Sequence, residues 1–267
     1  MIQESIKRIL ILTKKNITLY IKKGPVLIFG LMFPFFMTLS WVIGRKISFE
    51  LIFIGIIAMT SFFTATAISP VVLPIETREK SLEKIISSPI SLNEILLGII
   101  LASTLYSMII TSIISVIFML MLSIDFISLI TILLMFFGIG LMSILGSLLG
   151  LLVAANPTDM TSDVMIIVNL IKFPLLFISG IFVSLHAIPL NMVIISFLSP
   201  VTFLADLFRF CIEGNNFFFV EFDILMLFVW IIALFILNYL FHKKTMPKRL
   251  SETASKKKMM MMKKNMA

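Results

Sequence analysis

Residues 51–75 read LIFIGIIAMTSFFTATAISPVVLPI, 25 consecutive uncharged residues between Glu50 and Glu76. As a helix rising 1.5 Å per residue, this run reaches about 37 Å, enough to cross the roughly 30 Å hydrocarbon core of a bilayer. It is continuously apolar and not alternating, which excludes a strand of a membrane barrel. In lipid its backbone groups must pair within the segment, so the run is a helix. Cutting the rest of the chain at its charges gives more such runs. Lys23 to Arg45 encloses 21 uncharged residues, Glu94 to Asp125 encloses 30, Asp125 to Asp159 encloses 33 and Asp223 to Lys243 encloses 19. The stretch from Asp163 to Asp206 is interrupted only by Lys172. Six transmembrane helices are predicted, near 25–44, 51–73, 95–122, 127–154, 163–184 and 222–241.

Composition agrees with an all-α integral membrane protein. Of 267 residues, 60% are hydrophobic and 13% charged, with a mean hydropathy of +1.13. A soluble domain is nearer 45–50% apolar and about 25% charged. A water-soluble globule and a disordered chain are both excluded. One cysteine, Cys211, and two histidines rule out a disulfide framework, and no metal site is expected. His186 and His242 are isolated, no Ser–His or Cys–His pair is suggested, and Asp159-x-x-x-Asp163 lacks an acidic partner on a neighbouring helix end. No catalytic, cofactor-binding or metal-ligating residue is therefore expected.

The net charge of +8 resolves into topology. Six bases lie in the first 23 residues, three in the 76–94 loop and nine from 243 onward, which is 18 of 22 on one side of an even number of spans. The positive-inside rule places both termini and the 76–94 loop in the cytoplasm of a multi-pass protein of the cell membrane. The excess of bases is accordingly not read as a nucleic-acid surface. Residues 1–23 form an amphipathic helix lying in the interface, with Ile2, Ile6, Ile9, Leu10, Ile17, Tyr20 and Ile21 on one face and Glu4, Lys7, Arg8, Lys14, Lys15 and Lys22 on the other. A single transmembrane domain occupies 24–242, and 243–267 is read as a basic, disordered cytoplasmic tail. Between the fifth and sixth spans, Pro189 and Pro200 break an apolar stretch into halves too short to cross. These are predicted to form an external re-entrant helical hairpin over 185–213. Pro34 and Pro174 should kink the first and fifth spans, and Gly146-x-x-x-Gly150 offers a small-residue packing seam on the fourth.

The most structured polar segment is Glu76-Thr-Arg-Glu-Lys-Ser-Leu-Glu-Lys-Ile-Ile-Ser-Ser-Pro-Ile-Ser-Leu-Asn-Glu94. Glu79–Ile86 reads as a short helix ended by Ser88-Pro89, and Ser91-x-x-Glu94 is a capping box that opens the third span. A short polar helix held between two long spans can convert a push into a tilt of both. Lys172, a cation inside a span, is a functional candidate by its cost in lipid.

Glu79-x-Ser81-Leu82-Glu83 with Ser88-Pro89-Ile90-Ser91 and Glu94-Ile-Leu-Leu-Gly98 resembles the loop after the second span in type-2 ATP-binding-cassette (ABC) transporter permeases. Phe173-Pro174-Leu-Leu-Phe177-Ile178-Ser179-Gly180 resembles that family's fifth-span signature, and Pro189 with Ser199-Pro200-Val201-Thr202, Asp206 and Arg209 is similar to its external re-entrant region. Lys80 stands where the family usually carries glycine. The resemblance implies that Glu79, Lys80, Ser81, Leu82, Glu83, Ile86, Ser88 and Pro89 belong to a coupling helix that docks into a separate ABC ATPase subunit. It also implies a homodimer or heterodimer with the substrate path between copies, and Lys172, Phe173, Pro174, Phe177, Ser179, Gly180 and Phe182 are candidates to line or gate it. The chain contains no G-x-x-x-x-G-K-[ST] sequence, so ATP and magnesium are expected on the partner and not here. The expected activity is export of an amphipathic, drug-like or lipid-like substrate. An accessory or scaffold membrane protein without its own path is the alternative.

Overall fold

Helix boundaries fall where the chain supplies a cap, a proline or a left-handed residue. The computed structural model describes residues 2–265 except Arg45, Asp125 and Ser184, and no strand occurs among the described residues. Two of the charges that bound the apolar runs, and the last residue of the fifth run, thus lie outside them. Helix α1 (Ile2–Tyr20) precedes α2 (Gly24–Leu27), a π-helical turn (Ile28–Met32) and α3 (Phe33–Val42). Where a kink is expected at Pro34, a π turn stands directly before the proline in the first turn of α3, whereas α8 runs through Pro174 to Phe177. Next come α4 (Phe49–Arg78), α5 (Ser81–Ile86), α6 (Leu92–Leu122), α7 (Leu129–Val153) and α8 (Thr161–Phe177). A 3-10 turn (Leu185–Ala187), α9 (Leu190–Ser196), α10 (Pro200–Glu213) and α11 (Val220–Asn265) complete the order.

Among the described residues, four helices are long and apolar enough to cross a membrane: α4, α6, α7, and α11 over Val220–Ser251. The other two predicted spans are shorter. The first is interrupted by the π turn, and the fifth is the 17-residue α8. Helix α8 stops at Phe177 and does not continue to 184. Ser179 Oγ donates to the Leu176 carbonyl at 2.6 Å, and Gly180 turns the chain at φ 75°. Pro189 caps α9 and Pro200 opens α10, the two short helices expected between spans five and six.

Helix α4 is the axis of the bundle. It is buried without a break from Ile52 to Glu76 and packs against α3, α6, α7, α8 and α10. The α7 seam explains how close the neighbours come. A Cβ on Gly146 would lie 2.6 Å from Ala65 Cβ, and one on Gly150 would lie 2.3 Å from Ser69 Oγ. Gly146-x-x-x-Gly150 thus serves packing within the chain. Hydroxyls tie the same helices together: Thr64 Oγ1 to Ser107 Oγ at 2.8 Å, Ser143 Oγ donating to Ser107 Oγ at 2.9 Å, and Thr104 Oγ1 to Ser147 Oγ at 3.2 Å. Each such interhelical bond contributes about 0.6 kcal/mol in lipid.

The sequence reading starts a basic tail at 243. Helix α11 continues past residue 242, and Met246 and Arg249 are buried against the bundle. The reason is the Arg249 guanidinium, whose partners are described below.

Candidate coupling site

The loop between α4 and α6 is a braced ledge. The Glu79 amide closes α4 on the Ile75 carbonyl at 2.8 Å, and Lys80 then turns the chain in the left-handed region, at φ 59° and ψ 18°. Helix α5 ends where Ser87 Oγ and Ser88 Oγ donate to the Glu83 and Lys84 carbonyls at 2.8 and 3.1 Å. After Pro89, the capping box forms as expected. The Ser91 amide donates to Glu94 Oε2 at 2.6 Å, and the Glu94 amide donates to Ser91 Oγ at 3.3 Å. Burial sorts the expected coupling residues. Glu79, Lys80, Ser88 and Pro89 are exposed, with Arg78, Lys84 and Ser87 beside them. Ser81, Glu83 and Ile86 are half-buried. Leu82 is 1% exposed and lies in the core, so it roots the ledge and offers no contact to a partner.

Helix α1 braces this ledge with a face not foreseen from its amphipathic pattern. Its buried residues are Leu12, Thr13, Asn16 and Tyr20, at one edge of the apolar face that includes Tyr20. Ile6, Leu10, Ile11 and Leu19 remain exposed, free for lipid. Leu12 sits on Gly98, where an added Cβ would come within 2.7 Å of Leu12 Cβ. Ser5 Oγ donates to Glu94 Oε1 at 2.6 Å, and Arg8 donates to the Pro89 carbonyl while lying 3.7 Å from Glu94. Farther along, Lys15 pairs with the buried Glu76, whose Oε1 also accepts the Tyr20 hydroxyl at 3.4 Å. Burial, reinforced by Glu76, pushes the Tyr20 hydroxyl well above its ordinary range and keeps it a donor. Arg8, Lys15 and Glu76 build the site, although their charges read only as topology and loop boundary.

Arg249 closes the third side. Its Nη1 donates to Thr77 Oγ1 and the Thr158 carbonyl, each at 3.0 Å, and Nη2 to the Ala154 and Asn156 carbonyls at 2.6 and 2.7 Å. The guanidinium thereby donates to three carbonyls just past the end of α7 and ties them to the last turns of α4. Between this extension of α11 and the ledge lies a groove of about 270 Å³ lined by Ile86, Ile90, Leu92, Ile95, Lys243, Met246, Pro247 and Leu250.

The expected path residues fall into two groups. Lys172 is fully buried with Nζ 4.4 Å from the Phe63 ring centroid. Phe173 packs on Phe63 and Phe33 at 6.0 and 5.3 Å. Nearer the hairpin, Phe177 stacks on Phe182 at 5.4 Å, and Phe182 meets Trp41 edge-on at 5.2 Å. Pro174 and Phe177 are exposed, whereas Ser179 and Gly180 are buried at the turn. Arg209, read from sequence as an external base, is instead buried and donates to the Gly180 carbonyl at 2.6 Å, locking α10 to the end of α8. Asp206 accepts the Phe217 and Phe218 amides at 2.8–3.0 Å and anchors the turn into α11.

The ledge, the helix braced against it and the apolar bundle agree with a comparison to known families. The sequence model of the ABC-2 type transporter family matches residues 2–212, from the start of α1 to the end of α10. Among curated proteins none matches the chain. A match over this share of the sequence places the chain in the ABC-2 type transporter family, as a membrane permease component of an ABC transporter.

Proposed function

We propose that the chain is the six-span permease subunit of an ATP-driven exporter, energised by a separate ABC ATPase that docks on the α5 ledge from the cytoplasm. The observation that carries this reading is the ledge itself. It exposes Arg78, Glu79, Lys80, Lys84, Ser87, Ser88 and Pro89 in one continuous rim while Leu82 fixes it in the core. Two residues join α5 to α4, and a satisfied capping box joins it to α6. A push on the rim therefore moves both long helices, and the α1 contacts to Glu76, Pro89 and Glu94 make the amphipathic helix move with them. The interrupted first span and α8 supply the two further crossings. Two copies, or one copy and a similar permease, would enclose the path. The apolar faces of α3 (Phe35, Phe36, Leu39) and α8 (Ile166, Leu170, Phe177) are open to lipid and to that second permease. An apolar groove of about 400 Å³ lined by Met32, Phe35, Phe36, Ile56, Thr60, Ile114 and Phe118 favours an amphipathic, lipid-like cargo.

The test is co-purification of the permease with its co-expressed ATPase subunit. A Glu79→Lys, Lys84→Glu, Pro89→Ala variant alters only rim residues and is expected to retain less than about a tenth of the ATPase, as when a few hot-spot contacts are removed. Retention equal to wild type, with a permease that still elutes as one species, would overturn the docking assignment.

A further inference from the structure

Three cations are buried among the described residues, and two of them are satisfied: Arg209 by the Gly180 carbonyl, and Arg249 by four oxygens. Lys172 is different. It has no exposed surface, its Nζ has no hydrogen-bond partner, and its contact is the face of Phe63 at 4.4 Å. One turn earlier on α8, the buried Oδ1 of Asn169 also lacks a partner. Residues three apart on a helix are neighbours on its surface, so the two residues with unsatisfied groups share one face of α8. Its depth follows from Phe63, 14 residues into α4. That is about 21 Å along a helix of about 45 Å, near the middle of the bilayer.

An ammonium carries three donors and no acceptor, and an aromatic face meets only part of that need. An ionisable group at this depth keeps its place through a partner. The Asn169 amide can present either its oxygen or its NH₂ to the same point. Three ammonium donors beside an amide donor complement a phosphate or carboxylate. The surrounding Phe33, Phe63 and Phe173 rings suit an apolar body attached to it. We infer that Lys172 and Asn169 form a headgroup-recognition site for an anionic amphiphile, a phosphate or carboxylate bearing one alkyl or aryl chain. The inference rests on the transport reading only in calling this ligand cargo. On binding, the anion takes the place of the Phe63 ring over the ammonium.

The experiment uses the full chain in phosphatidylcholine nanodiscs, without ATPase, and measures saturation binding of radiolabelled dodecyl phosphate against dodecyl maltoside. Wild type is expected to bind the phosphate at least about tenfold tighter than the maltoside, the scale of one charge-assisted contact. Lys172→Met, which keeps the side-chain volume, should lose that preference, and Lys172→Arg should keep it to within about threefold. Asn169→Leu should weaken phosphate binding with the maltoside unaffected. In phosphatidylglycerol nanodiscs, competition would identify a bilayer lipid headgroup as the anion source. Undiminished binding there would identify a free amphiphile. A wild type without preference for the phosphate, or a Lys172→Met protein that retains it, would overturn the inference. Phosphate binding by a permease that fails to retain its co-expressed ATPase on co-purification would count against the transport reading alone.

Discussion

Lys80 holds φ 59° and ψ 18°, a conformation in which the Cβ of an L residue crowds the following carbonyl. The turn from α4 into α5 requires it, because two residues must reverse the chain between two helices. Glycine, usual at this point in the family the loop resembles, meets that requirement without strain. Lys80→Gly should therefore raise stability by up to about 1 kcal/mol, the left-handed strain less the extra freedom glycine has when unfolded. Lys80→Val should lower it, and thermal unfolding of the purified permease reads both. If glycine lowers the midpoint, the left-handed turn is not what selects the residue. Leu82, two positions on, acts by packing. Leu82→Ala removes a side chain that is 1% exposed and should cost about 3 kcal/mol through the cavity it leaves. It would weaken ATPase binding only as far as it unfolds the ledge. Loss of docking with an unchanged unfolding midpoint would contradict this and make Leu82 a partner contact.

Among the elements, what could be read in the sequence was what charge and capping chemistry mark. Glu50 and Glu76 bracket the apolar run of α4, Ser91-x-x-Glu94 marks the start of α6, and Pro189 and Pro200 mark the short helices. The end of α8 was not legible, because apolarity continues past the residues that stop it. Ser179 and Gly180 terminate the helix through a hydroxyl bond and a positive φ, neither of which changes hydropathy. The buried face of α1 was hidden for the converse reason. Ile6 and Leu10 of the apolar face stay exposed, and the residues packed on protein are Leu12, Thr13, Asn16 and Tyr20, of which two are polar. Lys172 and the ledge were visible as polar groups out of place, but the partnerless state of Lys172 Nζ requires coordinates. The α7 seam yields a prediction at this scale. Gly150→Leu drives a side chain into Ser69 and Pro70 on α4 and should cost at least about 3 kcal/mol or prevent folding. Gly140→Ala meets only Met108 Cε at 3.6 Å, an ordinary contact, and should leave the unfolding midpoint unchanged or raise it slightly. Equal effects of the two substitutions would mean that α7 does not depend on close approach at Gly150.

For the molecule as a whole, the end of α7, the end of α4 and the extension of α11 meet at one guanidinium. Arg249 is 2% exposed and donates to three carbonyls and to the Thr77 hydroxyl, two residues before Glu79. Without it, the buried Ala154 carbonyl loses a charged donor at a cost of about 1–3 kcal/mol, and the more exposed Asn156 and Thr158 carbonyls lose theirs. Arg249 also links the α11 extension to the ledge, since the groove beside it is walled by Ile86 and Ile90 on one side and Met246 and Leu250 on the other. A composition-based boundary at 243 would assign this whole region to a tail, although the helix up to Ser251 belongs to the fold. The two descriptions make different predictions for truncation. A chain ending at 242 loses the clamp and should be less stable by about 3 kcal/mol, with weaker ATPase retention because the ledge loses its support. A chain ending at 251 keeps these four Arg249 hydrogen bonds and should unfold close to wild type. Arg249→Ala in the full-length chain should reproduce most of the loss seen at 242, and Arg249→Lys should recover only a fraction, because an ammonium cannot span four acceptors with the geometry of a guanidinium fork. If the chains ending at 242 and 251 share one unfolding midpoint, the extension is a passive tail and the ledge is supported by α1 alone.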